Sequence, residues 1–214
     1  MFYFDEFNGQ KVLKSDYIKE ATAFFTTRGV NISALCKNAV HPVQTHSDHI
    51  EFVDERTEYP DTDGLILTMT NQACYLRFAD CTPLIFYNPV TKIGAVSHAG
   101  WRGTAAKIGV KTIEKMGGNP KDIITVIGPA IGLCCYEVSD DVRGKLLETV
   151  QNKDGLTNGK NVDLKGINAR QLQEIGVNKI DICPYCTSCN NDMFYSYRKE
   201  NGTNERHYAF LMLH

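Results

Sequence analysis

Three short segments place metal-binding side chains beside the ends of predicted strands. They are VQTHSDH around His46, FADCTP around Cys81 and VSHAGWRGT around His98. Two imidazoles and one thiolate form a borderline-soft ligand set that suits Zn²⁺ and leaves a fourth position for water or substrate. No two of these residues share a helical turn, so only the tertiary fold can bring them together. The spacing alone is equally compatible with one buried free cysteine and two structural histidines.

Several arginines lie where they could bind an anion. In SHAGWRGT, small residues allow a tight turn into a helix predicted to start near Thr104, and the N–H groups at a helix start favour anions. Arg102 on this turn could bind phosphate or carboxylate through two hydrogen bonds, and Trp101 offers a flat apolar face. Arg28, which closes FFTTR, and Arg198, which follows FYSY, could also project toward a ligand. The alternative for each arginine is an exposed basic residue.

The chain has eight cysteines, too diluted along its length for a disulfide scaffold. Reduced thiols, some of them binding metal, fit this pattern better. Cys183, Cys186 and Cys189 have C-x-x-C-x-x-C spacing, which can bind zinc or an iron–sulfur cluster, but no clear fourth ligand accompanies them. A structural role or an oxidisable pair is therefore expected for the triplet, and burial is expected for the adjacent Cys134 and Cys135.

The predicted secondary structure changes along the chain from strands to helices. The first half is dominated by short apolar or alternating runs bounded by Gly, Pro, Asn or Asp, which predict strands. Later segments have helical spacing: one from Thr104 to Gly117, one behind a Ser139 cap, and one in LKGINARQLQEIG. The strands are predicted in AFFTTR, NAVHPVQTH, HIEFVDE, DGLILT, ACYLRFAD, TPLIFYN, KIGAVSHA, IITVIGPAI, KIDICP and RHYAFLML. This order predicts an α+β protein, with residues 1–214 forming one domain.

Composition limits the classes of partner. With 22% charged residues and a net charge of -2, neither disorder nor a basic nucleic-acid surface is expected. No apolar run approaches the roughly 18 residues that span a bilayer, and the N-terminal residues do not resemble a signal peptide. We therefore expect a cytoplasmic protein that binds small molecules, without nucleic acid or membrane partners. The composition does not predict an oligomeric state.

The segments VQTH, FADCTPLIF, SHAGWRGT, IGPAIGLCCYEV and CTSC…MFYSYRKENGT occur in this order from about Thr26 to the C-terminus. In these motifs the chain resembles the YfiH-like laccase-domain family, also called multicopper polyphenol oxidase-like. The resemblance implies that His46, Cys81 and His98 bind one zinc ion. It also implies a fold of two mixed β-sheets packed between helices in α/β/β/α layers.

The resemblance implies purine nucleoside phosphorolysis, acting on adenosine, inosine, guanosine and methylthioadenosine, with adenosine deamination as a second activity. Copper-dependent oxidation of polyphenols and editing of peptidoglycan precursors are also associated with the family. Compared with the family pattern, this chain is shortened between Arg28 and Val40, has Ser47 in place of a glycine, and replaces a late T-G-R by TNER. We expect the shortening to affect one wall of the site.

The leading hypothesis is a zinc-containing purine nucleoside phosphorylase whose substrates are a nucleoside and phosphate. Arg28, Arg102 and Arg198 would hold the phosphate, and copper is the alternative metal. The expected catalytic residues are Cys81, His98 and Asp80, the last as an acid/base or as a partner of a ligand; its alternative is a turn residue.

Three other hypotheses remain open. The first is a hydrolase with Cys81 as nucleophile and His98 as base. The second is a copper oxidase, which is disfavoured because this sequence has none of the dense His-x-His pairs that build a multicopper cluster. The non-enzymatic hypothesis is a zinc-stabilised binding module.

Overall fold

A computed structural model describes all 214 residues of the chain. Its regular elements are thirteen strands and five α-helices. The strands are Phe2–Phe7 (β1), Gln10–Ser15 (β2), Ala21–Thr26 (β3), Ile50–Phe52 (β4), Gly64–Leu67 (β5), Ala73–Phe78 (β6), Thr82–Asn88 (β7), Ile93–Ala99 (β8), Ile124–Ile127 (β9), Thr157–Asn158 (β10), Asn161–Val162 (β11), Lys179–Ile182 (β12) and His207–Leu213 (β13). The helices are Ile32–Leu35 (α1), Trp101–Ala105 (α2), Ile108–Met116 (α3), Asp140–Leu147 (α4) and Leu164–Glu174 (α5).

One sheet contains five strands in the order β1-β2-β3-β13-β6. All its neighbours are antiparallel, so the expectation of two mixed sheets is wrong for this one. Its first hairpin, β1–β2, was not among the predicted strands. The hairpin turns at Asn8 and Gly9, which have φ of 48° and 74°. Asn-Gly favours such tight turns because both residues tolerate positive φ, so this dipeptide is the local sequence signal for the hairpin.

The second sheet contains six strands in the order β12-β9-β7-β8-β5-β4 and is mixed, as expected. The edge pairs β12–β9 and β4–β5 are parallel, whereas the central pairs are antiparallel. Strands β7 and β8 are buried along nearly their whole length, which explains their continuous apolar sequence. The ends of these two central strands carry two of the three predicted metal ligands.

The two sheets face each other across the main hydrophobic core. In β13, alternate residues Ala209, Leu211 and Leu213 enter this core, while Phe210 packs on the opposite face with residues of α1. Helices α3 and α5 cover the outer face of the six-stranded sheet. The α+β class is confirmed, and the layers run α/β/β/α. None of the helices has the length and apolar character required to cross a membrane.

The helix predicted from Thr104 is two helices in the structure. Helix α2 begins at Trp101, directly after Gly100, and α3 begins after Lys107, whose φ is 57°. The Lys107 N–H bonds to the Thr104 carbonyl three residues back, which ends the first helix. By contrast, α4 has the predicted Ser139 cap and α5 lies within its predicted segment.

The predicted strand in NAVHPVQTH is also wrong. Only Val40 forms a strand-type bridge, to Cys74, and residues 41–46 are irregular. Pro42 lacks the N–H that a strand ladder needs, and His46 has a φ of 64°. This irregular segment brings His46 toward the ends of β7 and β8.

Candidate active site

His46, Cys81 and His98 come together in the folded chain. One side-chain ligand atom of each lies within 4.8 Å of those of the other two. Cys81 immediately precedes β7, and His98 lies near the end of the adjacent β8, opposite Pro83. The antiparallel pairing of β7 with β8 therefore sets the distance between the thiol and one imidazole, and the loop before β4 supplies the other imidazole.

Asp63 organises this group from inside the core. Its Oδ1 lies 2.6 Å from Nδ1 of His98, and the side chain is fully buried. The same carboxylate accepts hydrogen bonds from the backbone N–H groups of Thr45, His46 and Ser47 at 3.1, 3.2 and 2.8 Å. One buried carboxylate thus fixes both the His98 ring and the loop that carries His46.

Asp63 was absent from the sequence-derived candidates. A carboxylate commonly orients a metal-binding histidine by accepting its second ring N–H. That rule predicts such a partner, but nothing in the sequence shows which of the 25 acidic residues it is. The contact with His98 depends on the pairing of β5 with β8.

Close backbone approach makes Gly100 part of the site. A Cβ at this position would lie 3.0 Å from the Sγ of Cys81 and 3.2 Å from a ring carbon of His46. These separations are at the lower limit of ordinary contacts. The glycine in SHAGWRGT therefore leaves room for the thiol and the imidazole.

The thiol of Cys81 and the imidazole of His98 alter each other's ionisation. Burial alone would raise the pKa of Cys81, but the charge of His98 and hydrogen bonds from both imidazoles lower it below its ordinary value. Burial alone would lower the pKa of His98, but the Cys81 thiolate and Asp63 raise it. The pair favours a thiolate, which is the form that binds metals and attacks electrophiles.

The three residues open onto a cavity of about 630 Å³. Arg77, Arg198 and Arg206 line it, and none of the three forms an ion pair with a carboxylate. Guanidinium groups without a carboxylate partner are suited to binding an anion. The full lining is His41, Pro42, Val43, Gln44, His46, Arg77, Ala79, Asp80, Cys81, His98, Ile131, Tyr136, Tyr197, Arg198 and Arg206.

Only one of the three predicted phosphate-binding arginines, Arg198, lines this cavity. Arg28 lies outside the lining, with bonds of 2.9 and 3.1 Å to the carboxylate of Glu200. Arg102 also lies outside, over the ring of Trp101 at 4.4 Å. The side chain of Arg28 therefore contacts Glu200, and that of Arg102 contacts Trp101.

Arg77 and Arg206 line the cavity, although neither is among the arginines predicted to bind phosphate. Arg77 is the one exposed residue of β6, whose other residues are buried. A single charged residue inside an otherwise apolar strand therefore indicates a candidate binding residue. Arg206 had no comparable signal, because it follows an irregular polar segment.

Asp80 joins three segments beside the cavity. Its Oδ1 accepts a hydrogen bond from the Thr187 hydroxyl at 2.6 Å, and its Oδ2 accepts one from the backbone N–H of Arg198 at 2.7 Å. Its own carbonyl accepts the N–H of Ile131 at 3.0 Å. Asp80 holds a φ of 82°, a left-handed conformation that its surroundings must stabilise. These bonds hold the backbone of Arg198 beside the cavity.

The protein has a two-sheet α+β fold and carries a His–Cys–His group on an arginine-lined cavity. These features define a class of protein with a potential metal centre. The model of the multi-copper polyphenol oxidoreductase laccase family matches residues 19–214. The chain belongs to this family, which confirms the resemblance to YfiH-like proteins.

Individual relatives agree with this assignment. The chain is 34% identical to purine nucleoside phosphorylase YlmD of Bacillus subtilis (strain 168) over 189 residues, covering 78% of this chain and 68% of that protein. It is 37% identical to the protein of the same name from Geobacillus stearothermophilus over 172 residues, covering 74% of this chain and 62% of that protein. The crystal structure of YfiH from Bacillus licheniformis superposes with a TM-score of 0.89 at 29% identity, covering 99% of both chains.

Proposed function

We propose that the protein is a zinc-containing purine nucleoside phosphorylase. The observation that carries the proposal is the cavity itself, in which three arginines without carboxylate partners face the same space as His46 and Cys81. The names of the relatives from Bacillus subtilis and Geobacillus stearothermophilus support the same activity. The expected substrates are phosphate with adenosine, inosine, guanosine or methylthioadenosine.

Phosphorolysis requires a bound anion next to a sugar that gains positive charge. An oxygen of phosphate forms a bond to the ribose C1′, while the bond from C1′ to the purine nitrogen breaks and its electron pair passes to the base. Arg77, Arg198 and Arg206 would hold and orient the phosphate, which converts an encounter of two molecules into a positioned attack. Their fixed charges need little rearrangement during the reaction.

Aromatic residues of the cavity suit the nucleoside. Tyr136, Tyr197 and His41 line it and offer flat faces for a purine. Burial and the nearby Cys81 raise the pKa of Tyr136 to about 12, so its hydroxyl keeps its proton at neutral pH and can donate it to a base nitrogen or oxygen.

The ligand set fits zinc better than copper. Asp63 occupies Nδ1 of His98, which leaves Nε2 for a metal. A mononuclear copper site of the His₂Cys type usually adds a distant methionine, and no methionine lines this cavity. When bound, zinc would supply a Lewis acid able to polarise a substrate oxygen or lower the pKa of a water molecule. Three protein ligands beside a cavity correspond to a catalytic site rather than a closed structural one.

The test is ribose 1-phosphate formation from inosine or adenosine and phosphate, measured for wild type and Cys81→Ala. We expect the variant to lose most of its activity, while the control Cys36→Ala, which changes a cysteine outside the cavity, keeps it. Undiminished product formation by Cys81→Ala would remove this cysteine from the mechanism. Inosine formation from adenosine without phosphate tests the expected deamination separately.

A second candidate function rests on the spatial arrangement of Cys81, His98 and Asp63. A thiolate facing an imidazole that is held by a carboxylate is the arrangement of a cysteine hydrolase. The substrate would then be an amide, as in cell-wall precursors. Alkylation of Cys81 in the protein as isolated separates the two functions, because zinc bound through the thiolate protects it, whereas a nucleophilic thiolate reacts rapidly.

A further inference from the structure

A second group of metal-binding side chains lies outside the candidate active site. Cys134 and Cys135 follow β9, and Cys186 and Cys189 follow β12. Their four sulfur atoms all lie within 4.8 Å of one another, and none of these cysteines forms a disulfide. We propose that the four thiolates bind one zinc ion as a structural site. This inference is independent of the proposed catalytic function.

The distances between the sulfurs fit a single tetrahedral ion. The Sγ of Cys189 lies 3.5 Å from that of Cys134 and 3.4 Å from that of Cys135. Zinc–sulfur bonds of about 2.3 Å in a tetrahedron place neighbouring sulfurs about 3.8 Å apart. Four protein ligands complete the coordination of zinc, so this site would be closed, unlike the three-residue group on the cavity.

A disulfide explains the arrangement less well. Cys189 is almost equally distant from two thiols, so the geometry selects no single pair. Any one disulfide would also leave two thiols of the cluster without a role. A single metal ion bound by all four thiols accounts for their convergence.

The surroundings of Cys186 favour negative charge on its sulfur. Cys186 is buried, and its Sγ accepts a hydrogen bond from the backbone N–H of Gly132 at 3.2 Å. Such a donor stabilises a thiolate. A Cβ at Gly132 would lie 3.2 Å from the Cβ of Cys186 and 3.4 Å from the Sγ of Cys134, so glycine leaves the space that the cluster requires.

The site divides the cysteine triplet of the sequence. Cys183 is fully buried in the core between the sheets and is not part of the cluster. The ligands are instead two C-terminal cysteines and an adjacent pair about fifty residues earlier. The C-x-x-C-x-x-C motif thus supplies two of the four ligands, and Cys134 and Cys135 supply the other two.

The proposed zinc would fix one wall of the cavity. Ile131 and Tyr136, on either side of the first cysteine pair, line the cavity. Thr187, next to Cys186, donates its hydroxyl to Asp80 and bonds through its N–H to the Ala130 carbonyl. Joining the two loops through a metal would hold Tyr136 and Asp80 in place without any contact between the metal and the substrate.

Zinc content tests the assignment directly. We expect Cys189→Ser to contain one equivalent of zinc less than wild type, whereas the control Cys36→Ser loses none. His46→Ala should keep the zinc of the cysteine cluster even if the active-site group binds no metal, so this result does not depend on the proposed function. Equal zinc in wild type and Cys189→Ser would overturn the proposal, and so would iron in place of zinc.

Cobalt provides a second measurement that does not depend on the folding of Cys189→Ser. Cobalt added to metal-free His46→Ala should give the absorption of a tetrahedral site with four thiolate ligands, and one proton should be released per ionised thiol. Thiol titration of the unfolded protein in the presence of a chelator should detect all eight cysteines. A spectrum without thiolate bands, or a count two thiols short because of a disulfide, would refute the site.

Discussion

The carboxylate of Asp63 and the imidazole of His98 form a buried hydrogen bond of 2.6 Å between Oδ1 and Nδ1. The two residues are also linked through their backbones, because the His98 N–H bonds to the Asp63 carbonyl at 2.7 Å. This double link orients the free nitrogen of the ring toward the group that contains Cys81. The geometry of the His–Cys–His group therefore depends on Asp63, which does not line the cavity.

Asp63→Asn should weaken metal binding at His46, Cys81 and His98 by about 10- to 100-fold, the usual effect of removing such a carboxylate. The amide lacks the negative charge that holds the His98 proton on Nδ1. Competition with a chelator measures the change. The metal of this site is identified as the part of the metal content that is absent from His46→Ala. Asp48→Asn is the matched control, because Asp48 is an exposed partner of Lys111. Unchanged affinity in Asp63→Asn would show that the ring is oriented by packing alone.

Gly100→Ala should impair the metal site while leaving the fold intact. The added methyl group meets Cys81 and His46 at 3.0 and 3.2 Å, so these ligands must shift. Metal content and ribose 1-phosphate formation should both fall. The control is Gly144→Ala, where a Cβ meets nothing within 4 Å inside α4 and should stabilise the helix by about 0.5–1 kcal/mol. Wild-type metal content in Gly100→Ala would show that the ligands can adjust.

Arg198→Gln should raise the KM for phosphate at least tenfold, a loss of about 1.4 kcal/mol of binding free energy. Arg28→Gln should instead lower the stability to urea, because it removes the bonds to Glu200. Steady-state kinetics with varied phosphate and urea unfolding distinguish the two effects. A raised phosphate KM in Arg28→Gln alone would return Arg28 to the binding role that the sequence predicted.

His207 should make stability depend on pH. Its side chain is fully buried near the rings of Phe78 and Phe194, and this burial lowers its pKa to about 3. Because its ordinary pKa is about 6.5, protons bind the unfolded chain first as the pH falls. The stabilisation is therefore complete above pH 6.5 and is lost progressively toward pH 3, with a limiting slope of about 1.4 kcal/mol per pH unit.

Urea unfolding of wild type and His207→Leu between pH 7 and pH 4.5 measures this contribution. The variant should lose less stability over this interval, since it lacks the proton-binding group. Parallel curves for the two proteins would show that other residues dominate the pH dependence.

Features that depend on neighbouring residues follow from the amino-acid sequence alone. The period-two pattern of β13 assigned Ala209 and Phe210 to opposite faces, and the hydroxyl of Ser139 fixed the start of α4. The motifs around Cys81 and His98 were sufficient for the family. Strand alternation and helix capping depend on residues that are close in the sequence, so they can be predicted without knowledge of the fold.

Contacts between residues that are distant in the sequence depend on the packing of the whole chain. The packing of the sheets places Asp63 against His98, includes Arg77 rather than Arg28 in the cavity lining, and brings the Sγ of Cys134 close to that of Cys189. These contacts depend on the order and register of strands that are far apart in the chain, and on the directions in which their loops leave the sheets. No local pattern contains that information, because it arises when two sheets pack face to face and all their loops share the same limited space.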